Sequence, residues 1–349
     1  MASTSRRNFL KASAGVAASM SMTGSSSASE SPDTENHDQV PRQRGVAFPG
    51  LHAYAQKSIA AGDEVIFRVS SSVPYDLRVL RLAGEVDEPD SDVELAAFNE
   101  IPGVVQPVHL GSYVDVPGSI SEADAEDGFT VECWVRPWGF NRTQGIVTQM
   151  DQAGDGFGIF LRPDSRIEAV WSGESNERKG PLVTTDFRMA RRVWSHVVTV
   201  FSKEGVRIYC DGQLRASESK KTLPRPALAP IRIGAAGGSD GAEGFLDGDV
   251  AMPVIYKGVL GREEIEARFK QKALQSPVGK ELIACWPLSE EDGSLVADKS
   301  GNGRNGQVIN HGTWQIGGPS FRAESIQRYG QDYDPVKDAS RGHALRLCS

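Results

Sequence analysis

Cysteine is scarce, with four in 349 residues. A disulfide-stapled scaffold needs a denser and more regular set, so this chain is not one. Cys133 and Cys210 fall on the apolar phase of two alternating segments, Cys285 precedes Trp286-Pro287, and Cys348 is the penultimate residue. That placement reads as buried small hydrophobes; the alternative is a Cys133–Cys210 bridge. No Cys-x-x-Cys or His-x-x-x-His pair is present, so the usual zinc spacings are absent. A P-loop is missing as well. Positive charge is in deficit: 38 Lys and Arg stand against 46 Asp and Glu, for a formal charge of −8. Such a surface offers no footprint for nucleic acid or anionic lipid. No apolar run reaches the roughly 20 residues of a membrane-spanning helix.

The N-terminus does carry an address. Ser5-Arg6-Arg7-Asn8-Phe9-Leu10-Lys11 is a twin-arginine pattern, followed by a weakly apolar Ala/Ser/Met stretch ending near Ala28. Residues 1–28 therefore read as a twin-arginine (Tat) export signal led by Arg6 and Arg7, with a periplasmic or extracellular destination. Residues 29–44, rich in Ser, Asp, Glu and Gln, read as a disordered linker.

Beyond the linker, period-two alternation dominates. Residues 45–104 form a small β unit, with Val65, Phe67 and Val69 on one face of a strand and Tyr75–Leu82 apolar on both faces. It is too small to be stable alone and is expected to pack on the next domain. Residues 105–316 hold many short strands, among them Phe129–Pro137, Trp194–Phe201 and Val206–Cys210. One helix interrupts them at Gly261–Phe269, with Gly261 as N-cap, Glu264 at the capping-box position, and Ile265 and Phe269 facing the sheet. The class is all-β. The order and spacing of these strands resemble the concanavalin-A-like, laminin-G-like jelly-roll sandwich, a fold that binds ligands or supports neighbouring domains more often than it does chemistry.

Few residues suggest chemistry. Glu122, Asp124 and Glu126 alternate as the carboxylates of jelly-roll glycosidases do. Flanking glycines and the lack of β-branched neighbours make this segment a loop instead. Asp247 and Asp249, with Asp151 and Asp155, are candidate oxygen ligands for Ca²⁺ at a sandwich rim, although Asp-Gly is also an ordinary turn signal. Trp138 and Trp171, with Tyr113, are candidates for stacking on a glycan. Trp194 and Trp286 read as core, and His196 as a satisfied structural histidine.

Three segments then point to a family. Ser58–Ser70 followed by Tyr75–Leu82, the sandwich, and the tail Tyr333–Leu347 together resemble the large subunit of N,N-dimethylformamidase and its relatives. The resemblance implies an exported amidohydrolase whose iron, mononuclear and held by tyrosine and glutamate, belongs to a C-terminal domain. It also implies a partner subunit or catalytic domain. No residue here matches those iron ligands, so no cofactor is assigned to this chain beyond the candidate Ca²⁺. Residues 317–349 are expected to be a truncated tail leading toward that domain. Its apolar positions Phe321, Ile326, Tyr329, Leu345 and Leu347 are expected to pack poorly. The implied role is an accessory scaffold for the catalytic domain; the alternative is a free-standing carbohydrate- or surface-binding module.

Overall fold

The described residues divide into two units, Gly45–His109 and a second that begins at Leu110. The computed structural model describes residues 45–55, 62, 64–82, 92–106, 108–151, 153–172, 182–219, 223–225, 227–237, 241–290, 292–310, 312–320 and 342–348. The leader, the 29–44 linker, Phe321, Ile326 and Tyr329 lie outside them.

The first unit is three two-stranded antiparallel ribbons. β1 (Gly45–Val46) pairs with β6 (Val108–His109), β2 (Leu51–Ala55) with β3 (Phe67–Ser71), and β4 (Tyr75–Arg81) with β5 (Val93–Ile101). In the β4–β5 ribbon, Leu77 faces Phe98 and Val79 faces Ala96 across the ladder. Most large apolar residues of this unit remain exposed, including Leu51, Tyr54, Leu80 and Leu95.

The second unit is a sandwich of two antiparallel sheets. Its strands are β7 (Tyr113–Val116), β8 (Phe129–Pro137), β9 (Gln144–Met150), β10 (Gly156–Leu161), β11 (Arg166–Trp171), β12 (Leu182–Arg188), β13 (Ser195–Ser202), β14 (Gly205–Cys210), β15 (Gln213–Glu218), β16 (Ile231–Ile233), β17 (Gly248–Lys257), β18 (Leu282–Cys285), β19 (Leu295–Val296), β20 (Gly306–Ile309), β21 (Thr313–Ile316) and β22 (His343–Leu347). Two helices accompany them, α1 (Glu122–Ala125) and α2 (Arg262–Gln271). One sheet runs β12-β11-β10-β9-β16-β7-β20-β19; the other runs β15-β14-β13-β8-β17-β22-β21, with β18 also on β17.

Alternation along β8 explains the layering. Phe129, Val131, Cys133 and Val135 enter the core between the sheets, with Phe157, Trp171 and Trp286. Trp134 points the other way, into a second apolar layer with Tyr209, Tyr256, Ile265 and, at its edge, Phe269. The second sheet is therefore buried on both faces, because α2 covers the outer one. The α2 N-terminus is held as its sequence suggests: the Gly261 N–H donates to Glu264 Oε2 at 2.8 Å. The β14–β15 hairpin turns on Asp211-Gly212, both at positive φ (52° and 76°), the geometry that favours Asp-Gly in a two-residue turn.

One alternative and one expectation are corrected here. Cys133, Val197 and Cys210 lie on one rung, with β13 between the two cysteine strands. Two strand spacings, roughly 9–10 Å, exceed the reach of a disulfide. All four cysteines are free. The second correction concerns the tail. β22 inserts between β17 and β21, pairing Leu347 with Gly248, Leu345 with Val250, and Leu345 with Trp314. Leu345 and Leu347 are fully buried in the main core, so this part of the tail does not pack poorly. It finds its partner about a hundred residues back along the chain.

Candidate functional site

A buried polar cluster lies beneath α2, on the outer face of the second sheet. β8 places Glu132, β13 places His196, β17 places Tyr256 and α2 supplies Arg268. Register brings the first three together: Glu132 is opposite Val198 on one side and Val254 on the other. Glu132 Oε1 meets His196 Nε2 at 3.1 Å, the Arg268 Nε–H reaches Oε2 at 3.0 Å, and the Tyr256 hydroxyl donates to Oε2. Glu132 and His196 have fully buried side chains. Burial alone would raise the Glu132 carboxyl; His196 and Arg268 outweigh it and hold it well below the usual carboxylate range. Burial and the Glu132 charge push the Tyr256 phenol strongly upward. Arg268 further donates to Gln271 Oε1 at 2.6 Å and to the Gln275 carbonyl at 2.8 Å. The sequence marks His196 as a satisfied histidine; Glu132 pairs its Nε2, while its buried Nδ1 has no hydrogen-bond partner among the described residues. Glu132 and Arg268 escape sequence reading because the outer face of β8 reads as solvent-facing until α2 is laid over it.

A tyrosine beside a glutamate raises the question of iron. The residues do not fit it: both Glu132 oxygens are committed to cationic or proton-donating groups, the phenol is held protonated, and a guanidinium already supplies the counter-charge. The opposite sheet carries a smaller relative of this cluster, where Asp115 meets Arg232 at 3.4 Å beneath Tyr113. Burial, then Asp115, push the Tyr113 phenol up to about 12. Tyr113 is fully buried against Phe245 and offers no stacking face to a ligand.

The remaining candidates receive other partners. Glu122 and Asp124 stand on α1, not on a strand; Ser121 caps it, and Asp124 reaches Arg304 at 3.1 Å. Glu126 is the C-cap of the same turn, so the three carboxylates do not share a strand face. Trp171 is buried in the core against Phe201, because its strand is interior; it cannot stack on a sugar. Trp138 is half-buried with its ring already engaged: Arg346 lies 4.3 Å and Arg192 4.8 Å from its centroid, and its indole N–H donates to Asp249 Oδ2 at 2.7 Å. Asp249, fully buried, also accepts from Arg136 at 2.7 Å and Arg346 at 2.9 Å. Asp151 accepts from the Asp155 N–H at 3.0 Å, Asp155 pairs with Arg225 at 2.5 Å, and the Asp247 N–H donates to Gln144. Among the described residues no group of three or more His, Cys, Asp or Glu is placed to hold a metal ion. Asp151, Asp155, Asp247 and Asp249 are thus not assembled into a Ca²⁺ ligand set; a backbone amide meets the Asp151 carboxylate, and arginines meet those of Asp155 and Asp249. Among the described residues no helix is long and apolar enough to cross a membrane.

Comparison with known proteins agrees with this architecture. Residues 110–266 match the concanavalin A-like lectin/glucanases superfamily, and residues 3–23 match the twin-arginine translocation pathway signal sequence. Solved structures to which the chain shows similarity include a carbohydrate-binding candidate from Bacteroides ovatus (12% identity, 73% of this chain and 64% of that one, TM-score 0.45). Another is a heptameric SAP-like pentraxin from Limulus polyphemus (12% identity, 44% and 74%, TM-score 0.33). A curated relative, the N,N-dimethylformamidase beta subunit of Paracoccus aminophilus, is 24% identical over 298 residues, which cover 72% of this chain. The protein is thus a Tat-exported chain with a concanavalin-A-like domain, distantly related to the N,N-dimethylformamidase beta subunit and spanning 38% of that subunit's length.

Proposed function

We propose that this chain is the exported accessory scaffold of a dimethylformamidase-like amidohydrolase, supporting a catalytic polypeptide or domain without performing the chemistry itself. The observation that carries the reading is the state of the Tyr256/Glu132 cluster beneath α2. Glu132, Tyr256, His196 and Arg268 neutralise one another inside a closed layer, 0% exposed at Glu132 and His196. Closed ion clusters of this kind fix packing; a reacting group needs an approach path. Kinship with an amidohydrolase subunit supplies the class of partner. The exposed apolar residues of the first unit, such as Leu51, Tyr54, Leu80 and Leu95, supply surface of the kind that seats one.

The test is reconstitution. The purified chain is expected to leave N,N-dimethylformamide intact with or without added ferrous iron. Affinity capture from the source organism's exported fraction is expected to retain a polypeptide that hydrolyses amides, more efficiently with this chain than without it. Iron-dependent hydrolysis by the chain alone, or capture that never enriches amide hydrolysis, would show the reading to be wrong.

A further inference from the structure

We propose that the Arg136–Arg346 pair, clamped by Asp249 at the rim of the second sheet, is a docking point for an acidic segment of a partner polypeptide. The inference does not depend on that partner being an amidohydrolase. It begins with register: Arg136, Asp249 and Arg346 are consecutive neighbours across β8, β17 and β22. They lie on the outer face, since Val135, Val250 and Leu345 beside them enter the inner core. Each arginine donates its Nε–H to Asp249, and each Nη2 reaches Gln315 Oε1 at 3.3 Å. A guanidinium carries five N–H donors, so three on each have no partner among the described residues, on side chains 23% and 33% exposed.

These donors are already oriented. Arg136 lies 4.9 Å over the Trp194 ring and Arg346 4.3 Å over Trp138, so stacking and the Asp249 carboxylate together fix both planes before any ligand arrives. Rotamer entropy is the main cost of recruiting arginine to an interface, and here it is spent in folding. The charge is also unbalanced. Arg191 and Arg192 adjoin the site through Trp138, whose carbonyl accepts from Arg191 and whose ring Arg192 flanks. Neither has a carboxylate partner among the described residues. Four guanidiniums thus face two carboxylates, Asp247 and Asp249, on a chain whose net charge is −8. The geometry suits a planar carboxylate taken up by both forks.

A polypeptide source fits better than a glycan, because guanidiniums flank the Trp138 ring that a sugar would need. The set of arginines and tryptophans beside the exposed Val193 (52%) is the composition of an interface hot spot.

Fluorescence anisotropy of a labelled octaglutamate peptide against the full chain at low ionic strength tests this. Saturable binding is expected, weakened at least tenfold by Arg346→Gln, about threefold by Arg192→Gly, and unchanged by Lys270→Gln on exposed α2. Arg192 sits at a φ of 63°, which glycine adopts readily; Arg192→Gly therefore decides the matter if circular dichroism shows that Arg346→Gln does not fold. Trigalacturonate is expected not to displace the peptide. No saturable binding, an Arg192→Gly protein that binds like wild type, or an equal loss in Lys270→Gln would overturn the site. Displacement by trigalacturonate as effective as by unlabelled peptide would overturn the polypeptide assignment.

Discussion

Glu132 is a carboxylate without access to water, balanced by one guanidinium, one imidazole and one phenol. Removing one partner of such a set leaves the others uncompensated in a low-dielectric layer. Glu132→Gln is therefore expected to destabilise the sandwich by roughly 3–5 kcal/mol, read as a lowered denaturation midpoint at unchanged slope. Tyr256→Phe, which removes a single donor to the charged group, is expected to cost about 1.5–3 kcal/mol. A near-neutral Glu132→Gln would mean that the cluster does not hold α2 down. The sign of the acid response follows from the same residue. Its folded-state pKa lies below the unfolded value, so its contribution is complete above the ordinary glutamate range near pH 4.3. That contribution declines as pH falls from there toward the depressed folded value. Urea midpoints between pH 5 and pH 3 are expected to drop more steeply for wild type than for Glu132→Gln. At this scale the sequence is legible where a residue's phase decides its fate, as for Cys133 or Trp286. It is silent where a distant element covers a face that reads as solvated, as α2 does for Glu132.

Among elements, β22 shows what alternation can and cannot tell. His343-Ala-Leu-Arg-Leu announces a strand, and a strand forms at His343–Leu347. Its neighbours are invisible in sequence because period two specifies faces, not partners. The ladder to β17 closes a loop of about a hundred residues, and only the shared core at Val250, Leu345 and Trp314 makes that closure favourable. α2 was more legible, since its cap and the apolar pair Ile265 and Phe269 are local signals. If β22 is an integral strand, Leu345→Ala should cost about 2–5 kcal/mol, as for other buried leucines. Hydrogen exchange should find the Leu345 amide as protected as those of central β8. Protection no better than that of the exposed β15 edge would place β22 outside the cooperative sandwich.

For the whole molecule, the all-β class and the sandwich were legible because some ten segments share one period and one kind of boundary. The functional site was not, because the residues that looked chemical are held by turns, caps and arginines, and those contacts exist only after folding. The distribution of burial then makes a prediction about autonomy. Among the described residues, all three apolar clusters are built from residues 113 onward. Within 45–109, Ile101 is the only hydrophobic residue counted as buried among those described, and isolated two-stranded ribbons are at best marginally stable in water. A fragment of residues 110–349 is therefore expected to melt cooperatively, within a few degrees of the longer chain and with the same β-rich circular dichroism. A fragment of residues 45–109 is expected to show no cooperative transition at any temperature. The scaffold reading adds one condition: the short fragment should gain protection from hydrogen exchange only when the polypeptide that it seats is present. A cooperative melt of residues 45–109 alone would instead show a self-sufficient domain whose exposed apolar residues need no partner.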